Sequence, residues 1–326
     1  MTSRNGAGHA FGLGANLPWV TYGCDFGANL WRPRGGLAAR SDLARLADLF
    51  GELSAHGLRL LRWFLFCDGR AGIRFATDGT PLGPDDCVAA DLDAALRLAD
   101  RAGLGIVFTL LDFHWCKPAR IVDDVQLGGR RAAIGEARPR GALLDRVFGP
   151  VLRRYGTEPA VAGWDLFNEP EWVTLGLGTV QPATALDAGV MRAFLADAAA
   201  LAHAEARQPV TVGSASAVWL GLVRGIGLDV YSPHWYDALD ARWPLNAPVA
   251  ALGLDRPVWL GEFPTRGSAR DLATLLTQAR ASGYAGALLW SVLATDTASD
   301  FAGAAPKLAA WRSEAGPGLV SPSVFS

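Results

Sequence analysis

Hydrophobic and polar positions fall into two rhythms along the chain. Short, nearly unbroken apolar runs rich in Val, Leu, Trp and Phe lie near 11–16, 58–66, 105–112, 161–168, 209–214, 228–233, 257–262 and 285–291. Such runs are expected of parallel strands covered on both faces. Between them lie longer amphipathic stretches of Ala, Leu, Arg and Asp, the pattern of surface helices. "SDLARLADLFGELSAHG" offers Ser41 as an N-cap and Gly57 as a stop, and "DCVAADLDAALRLADRAG" offers Asp86 and Gly103. Further helices are expected near 141–155, 186–207, 247–254, 268–282 and 302–313, with a short one around 215–226.

Eight strands alternating with helices predict an α/β fold, a single (β/α)8 TIM barrel spanning 1–326. No Gly- or Ser-rich linker and no internal repeat divides the chain. Residues 1–10 read as a disordered lead-in and 315–326 as a C-terminal tail. The long connections, 17–40, 67–86, 113–140 and 169–186, all follow strands and would wall the C-terminal face.

Composition narrows the function classes. Half of the residues are hydrophobic, the formal net charge is -2 and the arginines are scattered, so nucleic acid and anionic membrane surfaces are not expected partners. "MTSRNGAGHA" lacks the apolar core of a signal peptide, and no run approaches membrane-spanning length. Cys24, Cys67, Cys87 and Cys116 have no CxxC spacing and read as reduced thiols of a cytoplasmic protein. Cys24, Cys67 and Cys116 each follow a strand and are candidate neighbours for a metal or a disulfide. Twelve tryptophans gather near strand ends, where a flat apolar face with one donor suits a sugar ring.

The strand ends carry the chemistry. "GLRLLRWF" gives Arg59 and Arg62, "IVFTLLDFHW" gives Asp112 and His114, and "GWDLFNEPEW" gives Asp165, Asn168 and Glu169. "VYSPHWYD" gives His234 and Tyr236, "RPVWLGEFPT" gives Glu262, and "GALLWSV" gives Trp290. A lone glutamate at a strand end is usually a surface or capping residue. Here six strand ends place polar groups in one mouth, and the set suits glycoside hydrolysis, which needs one neutral and one ionised carboxyl. Glu169 and Glu262 would end strands four and seven, about 5 Å apart across the barrel, the retaining spacing. Arg62 would hold the nucleophile ionised, Tyr236 would orient it, and Asn168 could donate to a sugar 2-hydroxyl. Asp165, Phe167 and Glu169 share a parity, so Asp165 should face the interior. Asn168 breaks the alternation and marks an irregular strand end. Glu171, beyond Pro170, is at most a substrate contact.

Other classes fit less well. A Schiff-base lyase would have to use Lys117, since Lys307 lies in the last helix. His9, His56, His114, His203 and His234 show no metal-ligand spacing, and no P-loop or dinucleotide fingerprint precedes a helix. A non-catalytic sugar-binding barrel would normally have lost a carboxylate, and both are present.

In order along the chain, "LGANL", the Arg62 strand, "LLDFH", "FNEP", "HWY", "GEF" and "LLW" resemble the clan A glycoside hydrolases, most closely the cellulase-type family 5 and its relatives. The resemblance runs from about residue 12 to 290. It implies a retaining β-glycosidase without cofactor or metal, with Glu169 as acid/base and Glu262 as nucleophile. It also implies that Arg62, His114, Asn168, His234, Tyr236 and Trp290 line the subsite of the sugar under attack. Trp115 and Trp172, beside two of the strand ends, join the substrate-binding candidates. The segment "PWVTYGCDFGANLW" is longer and more aromatic than in a plain cellulase. Its Trp19, Tyr22, Asp25 and Trp31 would shape a pocket for short oligosaccharides or glycosides. Gluco- and manno-configured β-linked substrates both fit, as does transglycosylation by the same two carboxylates.

Overall fold

The computed structural model describes residues 11–179, 181–315 and 319–320. Eight parallel strands carry the architecture: β1 (Phe11–Asn16), β2 (Leu60–Phe64), β3 (Gly105–Asp112), β4 (Val161–Asn168), β5 (Val210–Ser214), β6 (Ser232–Pro233), β7 (Trp259–Pro264) and β8 (Gly286–Trp290). They pair in the order β6-β5-β4-β3-β2-β1-β8-β7. The seam between β6 and β7 closes through single bridges, Tyr231 to Val258 and His234 to Glu262. This is the (β/α)8 barrel that the alternation predicts.

The interior is layered. At the floor, Leu60, Val107, Val230, Trp259 and Leu288 form an apolar cluster separate from the main core. The Trp259 indole takes the space of missing side chains: a Cβ on Gly12 would stand 2.1 Å from its ring, and one on Gly286 2.5 Å. Above the floor, Asn16, Arg62, Thr109 and Asp165 make a buried polar layer. The larger core lies outside the strands, where Leu61, Trp63, Phe108 and Trp164 pack under the helices.

Local departures have local causes. The helix expected from Ser41 begins at Leu43, and the Asp42 carboxylate caps nothing because Arg40 holds both its oxygens at 2.8 and 2.7 Å. Asp85 rather than Asp86 caps the helix Val88–Ala102, accepting from the Cys87 and Val88 amides. The helix at 141–155 starts earlier and comes in three pieces, Ala137–Leu143, a π turn Leu144–Phe148, and Gly149–Tyr155. Pro150 has no N–H to continue an α ladder there. The segments near 215–226 and 247–254 are 3-10 turns, Ala217–Leu222 and Val249–Leu252. Strand six is shorter than expected, since Pro233 cannot donate to a neighbour. Antiparallel hairpins pair Ile73–Phe75 with Pro81–Pro84 and Arg120–Val122 with Val125–Leu127 inside the long connections. The expected lead-in at 1–10 lies outside the described residues, as does most of the tail; within the latter, Leu319–Val320 pairs with β1.

The loop after β1 is held from below by buried carboxylates. Asp91 accepts from the amides of Gly27, Gly36 and Ala38 at 2.7–3.0 Å. Asp25 accepts from Val20, Thr21 and the Trp63 indole at 2.6–2.9 Å. Asp25 therefore fixes the loop backbone and does not face a ligand.

Candidate active site

At the C-terminal ends of the strands a cleft of about 450 Å³ is lined by Trp19, Tyr22, Phe64, Asp112, His114, Asn168, Glu169, Trp172, Tyr236, Glu262, Trp290 and Asp296. A hollow of similar volume at the opposite end, around Gly103, Glu158 and Arg207, contains no pair of facing carboxyls.

β4 delivers its polar pair through an irregular end. Its register with β5 shifts between Asp165 and Asn168. Glu169 then takes a left-handed backbone, φ 50°. That conformation is uncommon for a side-chain-bearing residue outside functional or tightly constrained sites. It turns Glu169 into the cleft directly after Asn168. There Glu169 Oε2 accepts from the Trp172 indole at 2.8 Å, and Oε1 lies 2.9 Å from His234 Nδ1.

Glu262, on β7, is ringed by donors. Arg62 Nη1 reaches Oε1 at 2.7 Å, the Tyr236 hydroxyl donates to Oε2 at 2.9 Å, and His234 Nδ1 stands 3.3 Å from Oε2. Oxygens of Glu169 and Glu262 and a nitrogen of His234 all lie within 4.8 Å of one another. Among the described residues no cysteine joins such a group. Cys24, Cys67 and Cys116 are separate buried thiols whose pKa values burial raises. The Glu–His–Glu set is already paired internally and with Arg62, which accounts for its compactness without an ion.

Arg62 organises this layer from beneath. Its guanidinium, 1 % exposed, donates to Asp165, Asn16, Glu262 and Asn168 at 2.7–3.0 Å. Thr109 also donates to Asp165 Oδ2, and the Gly213 amide to Oδ1. Gly213 is required here, because a Cβ would stand 2.4 Å from Arg62 Nη2 and 3.0 Å from His234 Nε2. Arg62 and His234 therefore sit under the cleft and do not line it, contrary to the expectation for both.

Burial sets the protonation states. Glu169 is pushed up to about 7, chiefly by loss of water, with the Trp172 N–H pulling the other way. Glu262 is also raised by burial, but His234, Arg62 and Tyr236 oppose the rise. His234 is pushed down to about 4 by burial and is a neutral imidazole near neutral pH. Its Nε2 has no partner among the described residues, so the proton belongs on Nδ1, between the two glutamates.

The remaining candidates separate. Asn168 accepts from Arg62 and donates one N–H to Asp112 at 2.9 Å, leaving its second N–H for a ligand. His114 pairs through Nδ1 with Asp112, so Nε2 is the nitrogen free for the cleft. Trp290 flanks the cleft with its indole N–H on Asp296, 6.1 Å from the Trp19 ring. Trp172 lines the cleft next to Glu169 and packs edge-on against Trp219 at 5.6 Å. Trp115 is a correction: it is fully buried and donates to the Arg130 carbonyl, so it is core. Trp31 lies outside this cleft, in a neighbouring hollow.

Glu171 is neither a loop residue nor a substrate contact. It is 0 % exposed, with Oε2 accepting from the Ala215 amide at 3.0 Å and Oε1 without a partner among the described residues. Burial pushes it up to about 8, a neutral acid. Asn16 and Asp296 were also missed. Asn16 lies within the quoted "LGANL", whereas Asp296 sits in a loop without a distinguishing pattern.

No family model matches the chain. In sequence it is 26 % identical over 322 residues to the mannan endo-1,4-beta-mannosidase of Mytilus edulis, covering 87 % of this chain and 84 % of that one. That protein is a glycosidase, in line with the resemblance of the strand-end motifs to the clan A, cellulase-type enzymes. Solved structures agree on the fold. The beta-mannanase of Mytilus edulis superposes with a TM-score of 0.75 at 23 % identity, covering 96 % of this chain and 95 % of that one. The endo-1,4-beta-mannanase of Eisenia fetida gives 0.78 at 23 %, covering 97 % and 95 %. In a (β/α)8 barrel, the cleft at the C-terminal strand ends is where the fold places chemistry.

Proposed function

We propose that this glycoside hydrolase cuts β-1,4-linked, manno-configured chains at internal positions with retention of anomeric configuration. The observation that carries the reading is the facing pair Glu169 and Glu262, with oxygens inside 4.8 Å and His234 between them. Separations of about 5–5.5 Å belong to double displacement, and wider ones to inversion. Glu262, held by Arg62 and Tyr236, attacks the anomeric carbon while neutral Glu169 gives its proton to the departing oxygen. Glu169, now a base, takes a proton from water, which releases the sugar from Glu262. The manno preference and internal cutting are supported by the names of the relatives above. A cytoplasmic setting belongs to the same proposal, supported by the unpaired cysteines.

The test is linear β-1,4-mannan and glucomannan with the purified protein, followed by product analysis. Glu262→Ala should lose at least about 10⁴-fold in kcat. With added azide it should release the α-glycosyl azide, because the anion enters from the vacated side. Wild-type turnover in that variant would overturn the assignment of Glu262.

A further inference from the structure

A second hollow, of about 510 Å³, adjoins the cleft and is lined by Thr21, Tyr22, Trp31, Arg32, Arg34 and Arg70, among others. Tyr22 belongs to both walls. A continuous row of rings joins them: Trp290 to Trp19 at 6.1 Å, Trp19 to Tyr22 at 4.8 Å, then Arg70 over Tyr22 at 4.5 Å and over Trp31 at 5.7 Å. The Tyr22 hydroxyl is buried at this junction, without a partner among the described residues.

The charges around the hollow do not cancel. Arg70 is held bidentately by Asp68, at 2.9 and 2.7 Å, and Arg40 by Asp42. Among the described residues, the Arg32 side chain bonds the neutral Thr21 hydroxyl alone, at 3.5 Å. Among the described residues neither Arg32 nor Arg34 has a carboxylate partner. The loop that presents them is ordered in advance. Asn29 Oδ1 accepts from the Trp31 and Arg32 amides at 3.0 and 2.9 Å, and Pro33 and the left-handed Gly35 (φ 97°) fix the next turn. Two guanidiniums without acids beside a half-open indole are arranged for an anion carried on a ring.

We propose that this hollow is a distal subsite on the non-reducing side, taking a sugar unit that bears an anionic substituent, carboxylate or phosphate. The side follows from the mechanism above, on which the proposal rests. Glu169 protonates the oxygen on the side of the loops after β4 and β5, where Trp172 and Trp219 stand, so the glycone extends the opposite way, toward the loops after β1 and β2.

The experiment compares three mannopentaoses: unmodified, oxidised to a carboxylate at C6 of the non-reducing unit, and phosphorylated there. Each is cleaved by the wild type and by the double variant R32A/R34A, at low salt and at high salt. The wild type should favour at least one anionic form by about tenfold in kcat/KM, through KM, with the preference falling in high salt. The double variant should lose that preference and keep its rate on the unmodified sugar within about twofold. Preference for the carboxylate alone points to uronic acid units, for phosphate alone to phosphorylated ones, and for both to charge recognition. Equal or poorer use of both anionic sugars, or a preference that survives in R32A/R34A, overturns the proposal. If no mannopentaose is cleaved, the functional reading above fails. Titration of Trp31-dependent fluorescence then decides the subsite by itself: anion-selective binding lost in R32A/R34A upholds it, and absence of such binding overturns it.

Discussion

The two strand ends that carry Glu169 and Glu262 are built from similar materials to opposite effect. Both carboxyls are mostly buried, with side-chain exposures of 15 % and 5 %. Both are raised by loss of water. They share His234. What separates them is a cation in contact: Arg62 bonds Glu262 directly, while Glu169 has an indole N–H and a neutral imidazole. A guanidinium at hydrogen-bond distance favours the ionised form far more than a neutral donor does. The acid and the nucleophile are thus distinguished by the side to which one buried arginine points.

The most severe way to break that difference is to remove Arg62. Arg62→Ala would leave Asp165, 0 % exposed, and Glu262 buried without their cation. Uncompensated buried charge costs about 3–5 kcal/mol, a large share of a domain's stability. The expected result is a large drop in the urea midpoint or an insoluble protein. Arg62→Lys keeps the charge but cannot serve all four acceptors. It should fold less stably, with the acid limb of kcat/KM moved to higher pH as Glu262 becomes harder to ionise. A wild-type melt for Arg62→Ala, or an unmoved acid limb for Arg62→Lys, would show that Arg62 does not separate the two sites.

Removing the other member sharpens the comparison at lower cost. Glu169→Ala should reduce hydrolysis of mannan by about 10²–10⁴-fold while sparing dinitrophenyl glycosides, whose leaving group needs no proton. In the wild type, kcat/KM should fall as pH rises through about 7, because the acid must be protonated and burial has set its pKa there. Because the two glutamates titrate as a coupled pair, that limb belongs to the pair until the variant is measured. On dinitrophenyl substrates, which need no acid, that alkaline limb should be absent from kcat/KM in the wild type and in Glu169→Ala alike. Its persistence would assign the limb to another group.

How much of this was legible depends on what each residue answers to. Strand positions follow burial, so runs such as "GIVFTLLD" and "VAGWDLFN" mark β3 and β4 to the residue. The polar strand ends stand out against those runs, so the residues that gather at the mouth could be named in advance. Depth within the mouth could not. His234 reads as a cleft residue because it ends a strand, yet its bridge to Glu262 across the β6–β7 seam draws it between the carboxyls. Trp115 follows His114 at once, but the 3-10 turn Phe113–Cys116 rotates it into the core. Tryptophans suited to sugars and tryptophans suited to cores are the same residue, and only the turn decides between them.

Glu171 is the clearest case of a residue hidden from pattern, and it carries the smallest predicted effect. Two positions from Glu169, it would be solvated if the chain ran on as an ordinary loop. Instead the left-handed Glu169 and Pro170 start a 3-10 turn, Pro170–Val173, that folds Glu171 inward onto the Ala215 amide. Its carboxyl, raised from 4.5 to about 8, is neutral in the fold where the unfolded chain would be ionised. Its contribution to stability is therefore full below about 4.5 and is lost as pH rises through about 8. Glu171→Gln has nearly the same shape and cannot ionise. At pH 5 it should melt close to the wild type, and at pH 8 it should be more stable by roughly 1–3 kcal/mol. The alkaline limb of kcat/KM should stay near 7, because Glu169 owes its shift mainly to its own burial. Equal pH dependence of the melts in variant and wild type would mean that Glu171 ionises inside the fold without penalty. The contrast would then lie between two buried glutamates that differ in access to water, and not in protonation.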